Sequence, residues 1–352
     1  MLKAILTLFV LALLAVAGAT GAAAPPEISE KEKSQVLDGL FVQLRELYVD
    51  SGAGGKTIEA AIRAQAKTGV YRKLKEGEAF AAALQSDLQT IGHDPHFRVR
   101  YSPGGVPLLP TSWESTPERR AELRPIYATA YNNGFTSTSR LEGNIGYIDI
   151  NSIPDTEYIK DTAAAVLTFV THTDALILDL RRARGGEPRG IAYLLSYFLG
   201  ERVRTFDMVT RAEKKSYFTE AELPAPRYGA NKPIFVLTSK DTFSGGEALA
   251  YCLQVSKRAR TVGERTRGGS TAAMPVKVSE HFDVAIPAMA TVSAVTGGNW
   301  NNVGVIPDVE APADQAQDVA YRLALEHALA NERDPARQER LRSRIKALAA
   351  PK

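Results

Sequence analysis

Residues 233–254 read PIFVLTSKDTFSGGEALAYCLQ, and this stretch decides the fold. PIFVLTS is a near-continuous apolar run of strand length, the pattern of a strand buried on both faces. A polar turn follows, and then GGEALAYCLQ, with apolar residues at helical spacing. A buried strand that runs through a short turn into a helix is the repeating unit of a parallel α/β sheet. In such sheets functional residues gather at the carboxyl ends of strands. Cys252 falls inside the apolar pattern of the helix and reads as a buried, inert thiol. It is the single cysteine of the chain, so no internal disulfide supports the fold and the core must hold it.

Outward from this stretch the same unit recurs. NIGYIDI (144–150) is a strand, residues 156–171 are helical, ALILDLR (175–181) is a fully apolar strand and GIAYLLSYFLG (190–200) is a helix. Downstream lie a short strand in TVGERT (261–266), alternating segments in VKVSEHFDVAIPAMATV (276–292), and one or two helices over 313–349. Upstream, Val36, Leu37, Leu40, Phe41, Leu44 and Leu47 repeat at three- and four-residue steps. Two further apolar sets follow (Ile58, Ile62, Ala66 and Phe80, Ala83, Leu84, Leu88), so residues 25–92 read as a small helical subdomain. At His93 the character changes: HFRVRY (96–101) alternates as a strand, and PGGVPLLP (103–110) is a loop. Residues 112–135 are polar and show no pattern. The core then spans residues 93–352, terminal helices included.

Residues 1–24 have the make-up of a secretory signal peptide: Lys3 in the n-region, an apolar stretch over 4–17, then small residues with A-x-A patterns at 17–19 and 22–24. That stretch is too short for a comfortable spanning helix, and no other segment reads as a stable membrane span. The expectation is an exported protein, periplasmic or secreted. A formal net charge of +3 over 352 residues gives no support to a nucleic-acid partner. The C-terminal basic run (Arg333, Arg337, Arg340, Arg342, Arg344, Lys346) reads as the wet face of a helix.

Two strand ends carry candidate chemistry. In ALILDLRRARGGEPRG (175–190) an apolar strand enters a turn with Gly185 and Gly186, which leave backbone N–H groups free to face a developing oxyanion. An ordinary βα turn that needs glycine for its geometry explains the same residues. In FVLTSKDTFSGGEALAY, Ser244 stands after a buried strand and at the first turn of a helix, where serine is a preferred N-cap. Gly245 and Gly246 follow it, as they would where a substrate crowds a nucleophile, and a helix N-terminus stabilises a nearby anion. From the residues alone, nucleophile and cap both stand. A serine nucleophile needs a base, and the candidates are His93, His96, His172, His281 and His327. The HDPH stretch (93–96) lacks a third metal ligand at convincing spacing, and nothing else calls for a metal or cofactor.

Taken together and in order, YVD (48–50), LQSDLQTIGHDPHFRVRY (84–101), GNIGYIDI, ALILDLRRARGG, PIFVLTSKDTFSGGEALAYCLQ, TVGERTRGG and NWNNVGVIPDVE (299–310) resemble the tail-specific, or C-terminal processing, peptidases of family S41. The likeness covers roughly residues 30–330 and is greatest to the branch of the tricorn core and the interphotoreceptor retinoid-binding protein modules. It implies a crotonase-like β/α spiral core (ClpP/crotonase-like) with an N-terminal helical subdomain, and a peptide or protein substrate. It also implies Ser244 as nucleophile, His96 as general base, and oxyanion donors from Gly245 and the Gly185–Gly186 turn. Three departures stand out. Gly269 occupies the position of the lysine base in many members, so a histidine base is required. Asn301 stands where tricorn-type members carry a glutamate serving the histidine, which makes Asn301 a candidate for orienting His96, with Asp94 as the weaker one. Arg184 stands where glycines are common and is expected to narrow the oxyanion turn. No PDZ-like insertion is evident.

The leading expectation is therefore a serine peptidase acting through an acyl-enzyme, its activity reduced by the amide at Asn301. A non-catalytic lipid- or retinoid-like ligand-binding protein on the same fold is the alternative, and a peptide-binding or assembly factor is a third class.

Overall fold

In the computed structural model, which describes residues 27–49, 54–107, 109 and 116–348, the chain opens with three helices, α1 (Glu30–Glu46), α2 (Gly54–Lys67) and α3 (Gly77–Gly92). The signal-peptide reading of residues 1–24 lies outside the described residues. Ser29 caps α1, its Oγ accepting from Glu32 N–H at 3.1 Å, and Glu30 and Glu32 complement the positive end of the helix. Strand β1 (Arg98–Tyr101) follows, then α4 (Pro117–Tyr131), a helix in the stretch that shows no sequence pattern. It presents Ile126 and Tyr131 largely to solvent, so no amphipathic stripe marks it.

The α/β core begins with β2 (Phe135–Leu141), β3 (Ile145–Ile150), α5 (Thr156–Val170), β4 (Ala175–Asp179) and α6 (Pro188–Ser196). A hairpin of β5 (Arg204–Val209) and β6 (Lys214–Phe218) intervenes before β7 (Ile234–Thr238), α7 (Gly245–Val255) and β8 (Arg260–Gly263). The chain ends with β9 (Thr271–Lys277), β10 (Phe282–Ser293), β11 (Val309–Glu310), α8 (Ala316–Asn331) and α9 (Pro335–Leu348).

The strands form two sheets. The larger has the order β11-β8-β7-β4-β3-β2 and is parallel except for the β2–β3 pair. Its central strands alternate between two apolar clusters: Leu176, Leu178, Ile234 and Val236 face α5, α6 and α7, while Ala175, Ile177, Phe235 and Leu237 face α8 and α9. Burial on both faces is why these strands are apolar throughout. The second sheet is antiparallel, in the order β1-β10-β5-β6 with β9 on the other edge of β10. The α1–α3 bundle packs its apolar faces against this sheet, in one cluster with Phe97, Val99, Phe282, Val284 and Ile286. Among the described residues no helix is long and apolar enough to cross a membrane. The mixed α/β core expected from the sequence is present, and the carboxyl ends of β4 and β7 lie side by side in it.

Candidate active site

The loop from β7 to α7 is laced to the chain beyond β4. Thr242 Oγ1 donates to Leu180 O at 2.8 Å, Ser239 Oγ donates to Arg181 O at 2.6 Å, and Phe243 N–H donates to Ala183 O at 2.9 Å. These bonds place the two glycine turns in contact. A Cβ on Gly245 would fall 2.4 Å from Gly186 N and 2.6 Å from its Cα, so only glycine allows the approach. Gly185 and Gly186 do not take a positive φ; room, rather than conformational freedom, is what Gly186 supplies against Ile153. The N–H groups of Gly186 and Gly245 have no acceptor among the described residues. Arg184 does not fill this turn: its side chain is 70% exposed and pairs with Asp241 at 3.3 Å.

Ser244 is the N-cap of α7 with φ 52° and ψ −114°, a backbone strain of about 1–3 kcal/mol for a residue other than glycine. Glu247 opposes it. This fully buried carboxylate accepts Ser244 N–H at 2.8 Å and Gly269 N–H at 2.9 Å on Oε2, and Gly268 N–H at 2.7 Å and Thr266 Oγ1–H at 2.5 Å on Oε1. Burial pushes its pKa up, and these donors offset part of that rise. One carboxylate thus ties the strained serine to the 266–269 loop. The S-x-x-E spacing of a capping box was available in the sequence as its signal.

His96 lies against the same loop. Its ring stacks on Phe243, with centroids 4.5 Å apart. A Cβ on Gly269 would fall 2.7 Å from His96 Cε1 and 2.2 Å from Phe243 Cε2. The imidazole and its aromatic partner therefore occupy the space that a side chain at position 269 would need. His96 Nδ1 is 3.0 Å from Asp94 Oδ1 and 2.9 Å from Thr271 Oγ1, and Thr271 Oγ1 donates to Asp94 Oδ2 at 2.8 Å. With the threonine proton directed to Asp94, Nδ1 is the donor and the lone pair falls on Nε2. Nε2 is buried and has no hydrogen-bond partner among the described residues. Burial alone would raise the pKa of Asp94, but bonds from the His96 side chain and backbone, the His96 charge and Thr271 outweigh it and hold the carboxyl below its usual range.

Asn301 is placed otherwise than the sequence suggested. Its Oδ1 accepts Ser270 N–H at 3.0 Å, and the bonds to His96 come from Asp94 and Thr271. The remaining histidines are engaged elsewhere: His93 ends α3, His281 pairs with Glu32, His327 contacts Asn331, and the carbonyl of His172 accepts from Asn144. Cys252 is buried in α7, and burial pushes its thiol up to about 12, in keeping with an inert role.

A cavity of about 190 Å³ opens beside Ser244, with Gly186, Gly245, Phe206, Met208, Met289 and Trp300 among its walls. Phe206 and Met208 come from β5, which sequence patterning did not reveal. On the other side of the Gly185–Gly186 turn lies an open groove of about 710 Å³ bounded by α4, Arg182 and Arg184.

Residues 144–311 match the model of Peptidase family S41. The matched span contains Ser244, the glycine turns and Asn301; Asp94 and His96 precede it. The carboxyl-terminal-processing protease of Synechocystis is 27% identical over 53% of this chain and 44% of its own length. The chloroplastic C-terminal processing peptidase of Tetradesmus obliquus is 31% identical over 64% of this chain and 48% of its own. The chain thus spans about half the length of these curated relatives. A solved lipoprotein structure from Streptococcus agalactiae shares the fold at 18% identity, with a TM-score of 0.53 over 85% of this chain and 96% of that one.

Proposed function

From the premise that this chain carries a peptidase family S41 domain, we propose that it is an exported serine peptidase in which Ser244 attacks a peptide carbonyl and His96 is the general base. The observation that carries this reading is the state of His96, with Nδ1 bonded to Asp94 and Thr271 while buried Nε2 is left unpaired next to the serine loop. In this mechanism Nε2 takes the Ser244 proton as Oγ bonds to the carbonyl carbon. The oxyanion is received by the N–H groups of Gly245 and Gly186, at the positive end of α7. His96 returns the proton to the leaving amine as the C–N bond breaks, and water then releases the acyl group by the reverse sequence. Asp94, rather than Asn301, stabilises the imidazolium. Asn301 supports the loop through Ser270. The chain divides, in this reading, into a leader over 1–24, helices over 25–92 and a catalytic core over 93–352 whose histidine comes from the junction.

A lipid- or retinoid-binding role calls for an enclosed apolar cavity. The cavity at the site, about 190 Å³, falls short of the roughly 300–1,000 Å³ usual for such ligands, and the adjoining groove of about 710 Å³ is open to solvent rather than enclosed, which favours the peptidase.

Intact-mass labelling with a fluorophosphonate tests the proposal. One adduct per chain is expected, absent in Ser244→Ala and formed far more slowly in His96→Ala. An unlabelled wild-type protein that also cleaves no peptide would refute it.

A further inference from the structure

We infer that the cavity beside Ser244 holds the side chain on the acyl side of the scissile bond, and that Glu187 makes it select lysine or arginine. This deepens the peptidase reading and rests on it. The cavity is bounded by Ser244, Gly245 and Gly186, the nucleophile and both oxyanion donors, so it lies where a substituent next to the attacked carbonyl must project. His96, toward which the leaving amine departs, is not among its lining residues. The leaving-group side chain therefore points elsewhere.

The walls suit a methylene stem. Ile191, Phe206, Met208, Met289 and Trp300 are apolar and buried, and long basic side chains lay such stems along apolar surface while keeping the charge at a polar end. Among the described lining residues Glu187 alone carries a charge; it lines both this cavity and the open groove on the other side of the turn, and its carboxylate has no hydrogen-bond or salt-bridge partner among the described residues. Ser270 lines the same cavity, and its Oγ is buried without a partner among the described residues. Two polar groups without partners thus stand in a pocket whose other polar side chains, Thr271 and Thr291, are already hydrogen-bonded and whose nucleophile is Ser244. An apolar substrate side chain would leave both unsatisfied, at a cost; an acidic one would be repelled.

The charges around Glu187 do not neutralise it. Asp155, the N-cap of α5, pairs with Arg189 at 3.5 Å. Arg182 and Arg184 line the open groove that Glu187 also lines, but pair there with Asp149 and Asp241. Burial first, and Asp155 second, push Glu187 up to about 6, so it is ionised at neutral pH and gains from a cation.

The test uses the mature chain with Ser244→Ala, which binds without turnover, and fluorescent peptides differing only at the residue in question: lysine, norleucine or glutamate. By anisotropy the lysine peptide is expected to bind about tenfold more tightly than norleucine. That ratio collapses toward one in Glu187→Gln, and Glu187→Lys reverses the order of lysine and glutamate. The ratio also shrinks as pH falls through about 6; being a ratio, it cancels contributions from His96 common to both peptides. Equal binding of lysine and norleucine, or a ratio untouched in both variants, overturns the inference. Turnover of the same peptides by the wild type is scored separately. Cleavage without charge preference sinks the pocket assignment alone, whereas charge preference without cleavage sinks the peptidase reading and with it the acyl-side assignment, leaving only a pocket for basic side chains.

Discussion

Asp94 and His96 are only two residues apart, yet the turn at Pro95 lets one carboxylate oxygen accept both the His96 N–H at 2.8 Å and the imidazole Nδ1 at 3.0 Å. Nearness to His96 in the chain ranks Asp94 below Asn301 in the sequence reading. The local turn, together with Thr271 from far along the chain, reverses that ranking. Asp94→Asn should lower kcat by about 10²–10⁴ with little change in KM, since an amide cannot stabilise an imidazolium by charge; steady-state kinetics on a peptide reporter measures it. The same residue has a stability signature. Its folded pKa is depressed, so its contribution is present above the unfolded value of about 3.9 and is lost as pH falls through the folded one. Denaturant melts should show the wild type ahead of Asp94→Asn at neutral pH, with the gap closing below about pH 4. A gap independent of pH would mean that the carboxylate charge contributes nothing.

At the level of elements, legibility followed burial. β4 and β7 are covered on both faces and announce themselves as apolar runs, so the two strand ends and Ser244 could be read directly. β5 and β6 could not: their exposed edges carry Lys214, Lys215 and Arg204, which break the alternation and hid the wall that Phe206 and Met208 supply. Nor can one sequence show that the 266–269 loop and the β7–α7 loop share a carboxylate. That sharing explains Gly269. A lysine base at this position would have to displace the His96–Phe243 stack, so histidine and position-269 lysine are alternatives in one space. Gly269→Ala puts a methyl 2.2 Å from Phe243 Cε2. It should destabilise the fold by about 1–3 kcal/mol and, by shifting His96, lower kcat roughly a hundredfold. Adding Phe243→Leu should restore much of the melting temperature. Full activity in Gly269→Ala would show that the imidazole is free to move without consequence.

On the scale of the whole molecule, the helical segment and the core are less separable than their sequence patterns suggest. The periodicity of residues 30–92 marks helices but cannot reveal what their apolar faces meet. Those faces meet β1 and β10: Phe97, Phe282, Val284 and Ile286 are fully buried in one cluster with Phe41, Leu44, Phe80 and Leu84. Glu32 of α1 reinforces the contact by accepting from Ser279 Oγ and pairing with His281. Removing α1–α3 would expose those four core side chains, at about 1.5–3 kcal/mol each. The sum, about 6–12 kcal/mol, is comparable with the roughly 5–15 kcal/mol by which domains are usually stable. The cost falls on catalysis as well as on folding, because His96 and Asp94 sit between α3 and β1 and depend on both. A fragment beginning at residue 93 should therefore melt without a cooperative transition and bind a hydrophobic dye. It should also fail to react at Ser244 with a fluorophosphonate, even though every residue proposed for catalysis is still in it. If such a fragment folds cooperatively and is labelled at the wild-type rate, the bundle is an appendage. If it does not, the helices are a structural half of the active site, holding the histidine to a serine that the parallel sheet presents.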